Sequence, residues 1–128
     1  MISEAIYSIL NSSSSLNSYV NGRISSFVMN QESVFPYVVF MLIRQEGNGT
    51  KDNSSEVDEI NLTVFCLSKD SVEVRNIANS VKSALDGYNG TISGVTIQSC
   101  DWERFRDGWE GVSNSYQISV EFILFVKS

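Results

Sequence analysis

The sequence predicts a single α+β domain over residues 1–128: a mostly antiparallel β-sheet of about four strands packed against one long and one short α-helix, with a long β-hairpin loop. Three observations carry this expectation. The segment Asp70–Leu85 is apolar at helical spacing behind a capping residue. Ile60–Leu67 and Tyr116–Val126 alternate apolar and polar residues at the period of a strand. A chain of 128 residues fits one domain and buries roughly two-thirds of its unfolded surface, enough for a core without disulfides or metals.

The elements follow in order. Ser3 offers a cap for a first helix, in which Ile2, Ile6, Ile9 and Leu10 share one face. The serine run Ser12–Ser15 interrupts it; Leu16, Tyr19 and Val20 predict one more helical turn, closed by Gly22. An irregular stretch then runs to Pro36, the single proline, which suits the start of a strand and not its interior. Tyr37–Arg44 reads as a strand apolar on both faces, hence central in its sheet. Residues 45–59 hold three Gly/Asn turn signals and only Val57 as an apolar residue, which predicts a long mobile hairpin connection.

In the strand that follows, Ile60, Leu62, Val64 and Cys66 fall on one face and Asn61, Thr63 and Phe65 on the other. Asp70 with Glu73 three residues on resembles a capping box, and Val74, Ile77, Ala78, Val81 and Leu85 form the apolar stripe of the long helix. Gly87 stops it. Thr91–Cys100 reads as one strand with an irregularity at Gly94, residues 101–115 as a polar, aromatic connection, and Tyr116–Val126 as the final strand.

Composition narrows the function classes. The longest apolar run, Tyr37–Ile43, is far too short to span a membrane, and the amino terminus lacks a signal-peptide pattern, so a cytoplasmic origin is expected. Cys66 and Cys100 do not amount to a disulfide framework and read as free thiols. A net charge of −6 disfavours sequence-independent grip on DNA. Histidine does not occur, which removes the usual general base and the commonest metal ligand.

The remaining clusters argue against catalysis without naming an alternative. Asp101, Glu103, Asp107 and Glu110 are interleaved with Arg104 and Arg106, the pattern of a solvated segment with local ion pairs, and match no metal-binding loop. Trp102, Phe105 and Trp109 lie in the same segment; such aromatics either anchor a connection to the core or mark an interface. Glu46, Asp52, Glu56, Asp58 and Glu59 make the 45–59 segment strongly acidic, as a solubilising tip or as a surface facing a partner or a pore. No catalytic residue, metal ligand or cofactor is assigned.

Read in order, these features resemble the tail-completion, or tail terminator (head-to-tail joining), proteins of long-tailed bacteriophages. The likeness rests on the short helix leading to Gly22-Arg23-Ile24, then Pro36-Tyr37-Val38-Val39-Phe40, the strand Ile60–Cys66, the Asp70–Leu85 helix and the terminal strand Tyr116–Val126. This chain departs in having Glu59-Ile60-Asn61 where members often carry an arginine, and in a longer hairpin connection. The resemblance implies a non-enzymatic virion protein, assembled in the host bacterial cytoplasm. In it, six copies form a ring on the head-proximal end of the tail tube, end its polymerisation and present a surface to the head connector. Its partners would be itself, the tail tube protein and the connector or stopper; DNA would pass through without being held. On the residues alone, another neck or connector protein and a small ligand-binding α+β domain stay open as alternatives.

Overall fold

The best-marked element is built as its sequence demands. In a computed structural model describing residues 2–26, 34–44, 57–111 and 114–127, the helix α3 spans Ser71–Leu85. Its N-cap Asp70 accepts the Glu73 backbone N–H at 3.1 Å. The reciprocal half of the capping box runs through an intermediary: the Asp70 N–H donates to Ser68 Oγ at 3.0 Å, and that hydroxyl donates to the Glu73 carboxylate at 2.7 Å. Ser68 is fully buried, so this relay also satisfies a hydroxyl that would otherwise be costly.

Two further helices precede the sheet, α1 (Ile2–Asn11) and α2 (Ser14–Val20). Ser3 falls inside the first turn of α1. The serine run holds a true helix start: Ser13 caps α2, its hydroxyl accepting the Leu16 N–H at 3.1 Å. Asn21, at φ 52°, ends α2 in the left-handed conformation, and Gly22, at φ 82°, continues the turn as only glycine does without strain.

Six strands follow: β1 (Ile24–Ser26), β2 (Tyr37–Arg44), β3 (Val57–Ser68), β4 (Gly90–Ile92), β5 (Val95–Glu110) and β6 (Ser115–Lys127). They form one curled sheet in the order β1-β2-β3-β6-β5-β4. Every neighbouring pair is antiparallel except β1–β2, which is parallel with Ile24 opposite Val38. Arg23 ties that pair together: its C=O accepts the Val38 N–H at 3.0 Å, and its Nε donates to the Pro36 C=O at 2.9 Å.

All three helices pack on one face. Ile6 and Leu10 of α1, Leu16 and Val20 of α2, and the α3 stripe meet Val38, Phe40, Leu62, Val64, Val120, Phe122 and Leu124 in a single cluster. Among the described residues the opposite face carries no helix. A small satellite there joins Tyr37, Val39 and Leu67 with Phe35 and Phe65, which is why β2 is apolar on both sides although only three residues of β1 lie outside it.

The expectation of about four strands against one long and one short helix is therefore corrected to six strands in a mixed sheet with three helices among the described residues. Three local causes account for it. Ile24, after Arg23, opens β1, which is too short to show an alternation. The glycine irregularity at Gly94 is the tip of a hairpin: Ser93 (φ 54°) and Gly94 (φ 77°) turn β4 into β5, so Thr91–Cys100 is two strands. Residues 101–110, expected as a connection, continue β5 through bulges at Ile97/Ser99 and Trp102/Arg104. Residues 45–56 of the expected hairpin connection lie outside the described residues, and 57–59 are already strand.

Candidate assembly surface

The long β5–β6 hairpin gathers most of the residues singled out by sequence. Bulges reset which face a side chain takes, so Val95, Ile97, Cys100, Trp102 and Phe105 all point to the helix-bearing face despite uneven spacing. Trp102 is half-buried, with its ring 5.1 Å from that of Phe105 and the Lys82 ammonium of α3 3.9 Å above it. Its Nε1 is buried and has no hydrogen-bond partner among the described residues. Its backbone N–H donates to Asp86 Oδ1 at 3.0 Å, tying the strand to the end of α3.

Trp109 lies further along the same face, beyond the cover of the helix. It is 57% exposed and meets Tyr116, itself 40% exposed, edge-on at 5.2 Å. An exposed aromatic pair of this kind offers a large apolar contact at little entropic cost to a partner. The aromatic segment is thus divided: Trp102 and Phe105 adjoin the core, and Trp109 does not.

The charges interleaved with these aromatics form ion pairs. On the helix-free face, Glu121 of β6 is held by Arg104 and by Arg106, whose Nε lies 2.6 Å away; Glu103 lies 3.7 Å from Arg104. On the other face Asp107 meets Arg75 of α3 at 3.5 Å. These pairs are largely solvent-exposed and contribute little each. They give the strand a charge pattern of mixed sign.

The acidic set is dispersed. Glu46, Asp52 and Glu56 lie outside the described residues. Asp58 and Glu59 are half-buried at the start of β3, opposite Val126 and Phe125. Trp109 sits opposite Tyr116, at the other end of β6, so about 30 Å of strand separates the two groups. The fold does not combine them into one site. Among the described residues no group of three or more Cys, Asp or Glu side chains is placed to hold a metal, and no helix is long and apolar enough to cross a membrane.

Which strands bound the sheet was not readable from the sequence. On the helix-free face Ile43 is 55% and Phe125 38% exposed, and among the described residues β2 and β5 are each covered by only a three-residue strand. The apolar run of β2 was visible in sequence, but its place near an edge depends on the pairing order.

Comparison with known proteins gives the geometry its context. The family model described as "Tail completion protein gp17" matches residues 4–127. In fold, the chain is similar to a protein in the virion of a native gene transfer agent particle, with a TM-score of 0.78 at 13% identity, over 96% of this chain and 92% of that one. No curated protein matches the sequence.

Proposed function

Since the chain belongs to the tail completion protein gp17 family, and so is a structural, non-enzymatic component of the virion tail, we propose that it closes the head-proximal end of the tail tube. In this reading six copies form a ring, end polymerisation of the tube and join it to the head connector. The observation that carries the reading is the family match across residues 4–127. A closed ring requires two different patches on each copy that fit one another, and the edges beside β2 and β5 are the candidates for them. The chain's net charge of −6 would let DNA pass a bore without adhering.

A phage with a nonsense mutation in this gene tests it. Tails should grow abnormally long or fall apart, while heads fill with DNA and stay unjoined. Tails of normal length left unjoined would retain the joining role and exclude the terminating one. Normal tails attached to heads would exclude both.

A further inference from the structure

We propose that the β-sheet continues from one copy of this chain to the next, β5 of one copy pairing antiparallel with β2 of its neighbour, with Leu42 opposite Trp109. The proposal rests on the ring reading and names the surface that would form it.

Main-chain geometry supplies the first argument. The Val38 N–H donates across to Arg23, so even-numbered residues of β2 turn their N–H and C=O away from β3. Carried through the registers of β3 and β6, this phase turns the main-chain groups of Phe105, Asp107 and Trp109 to the outer edge of β5. Further up that edge Gly87 N–H donates to the Cys100 C=O at 2.8 Å and Asp86 accepts the Trp102 N–H. Beyond Trp102 no described residue pairs with the edge. On the other side of the sheet β1 pairs only with Val38–Phe40, leaving Leu42 and Arg44 facing outward without a main-chain partner among the described residues. Long free edges invite pairing with another chain.

The two stretches without a main-chain partner among the described residues fit each other. β2 runs parallel to β6 and against β5, so a second copy laid alongside, helices on the same face, brings β2 to β5 in antiparallel sense. Each edge is stepped: β4 covers the upper part of β5, and β1 covers the lower part of β2. Placing Leu42 opposite Trp109 and Arg44 opposite Asp107 carries the neighbour's β1 past the end of β5 at Glu110. A shift of two residues the other way would set Phe40, already paired with Ser26, against Trp109, and β1 would collide. A pairing staggered in this way is what a sheet closing on itself requires.

Side chains supply an independent argument. In this register the half-buried Leu42 meets the exposed Trp109–Tyr116 pair on the helix-bearing face. On the other face Ile43, 55% exposed, falls opposite Gly108. Among the described residues nothing demands glycine there: a Cβ at Gly108 would meet only the Gln117 C=O, at an ordinary 3.8 Å. The neighbour's Ile43 does demand it, because a bare strand position gives its side chain room.

Disulfide trapping tests the register, since 43 and 108 would form a non-hydrogen-bonded pair whose side chains approach closely. Ile43→Cys and Gly108→Cys are made in separate full-length chains of different tag length, mixed with tail tubes and oxidised; Cys66 and Cys100 are buried and stay out of the reaction. A mixed dimer several-fold above either variant alone is expected. Rings seen on the tubes by electron microscopy without that dimer would overturn the edge pairing and leave the terminator reading standing. The absence of both rings and dimer would overturn the two together. As a second measurement, Asp107→Pro removes an outward N–H and should weaken association at least tenfold, with its Tm showing the monomer still folded. Unchanged association would overturn the proposal.

Discussion

Burial holds the two thiols of this protein neutral well into alkali. The Cys100 thiol is pushed up to about 12, first by burial and then by the neighbouring Asp101 and Asp86 carboxylates. Burial alone pushes Cys66 up further. In the unfolded chain both ionise near 9.0. Above that pH the unfolded state sheds protons that the folded state keeps, so stability is full below pH 9 and falls as pH rises toward 12. Urea midpoints should therefore decline across that window, with a slope reaching ~1.4 kcal/mol per pH unit for each thiol. The double variant Cys66→Ala, Cys100→Ala should start less stable at pH 7 and decline less steeply; parallel curves would refute the assignment. The two tryptophans make a second contrast at this scale. Trp102→Ala removes half-buried contacts to Phe105 and Lys82 and should destabilise the fold by ~3 kcal/mol. Trp109→Ala, at a site 57% exposed, should leave thermal unfolding nearly unchanged and weaken assembly by ~2 kcal/mol, read by sedimentation.

Among the elements, those with a local cause were readable and those with a distant one were not. Asp70 and Glu73 announce α3, and the buried apolar residues keep a two-residue period from Ile60 to Cys66 in β3 and from Ile118 to Val126 in β6. Only Ser68, as the relay in the cap, escapes a motif reading, because it acts from outside the helix. Asp70→Ala should cost about 1 kcal/mol, and Ser68→Ala a similar amount by leaving the Asp70 N–H and Glu73 unlinked; urea titration checks both. β5 hid because its two bulges shift the alternation twice, so Cys100, Trp102 and Phe105 look aperiodic in sequence while sharing one face. β1 hid because three residues carry no period. The aromatic part of the candidate surface was legible as Trp102, Phe105 and Trp109, but the separation of Trp109 from the others depends on where α3 ends above the sheet. Gly108 and Ile43 were silent, since neither means anything until strand order is known.

At the scale of the whole molecule, β3 and β6 form the spine, twelve residues of each in continuous register from Val57↔Lys127 to Ser68↔Tyr116. Phe122 lies in its middle, 1% exposed, in contact with the cluster beneath all three helices. Phe122→Ala should cost 3–5 kcal/mol in a urea titration, more than any edge substitution named above. The same spine bears on how the chain reaches its fold. β5 and β6 are joined locally and can zip from their turn, as can β4 and β5. The pairing of β3 with β6 must instead wait for a strand that follows α3, β4 and β5. Closing that long loop comes before any reward from the pairing, so collapse of the two halves onto each other should set the refolding rate. Until then β3 exposes an apolar, ready-made template for the wrong neighbour, and yield on refolding should fall as protein concentration rises.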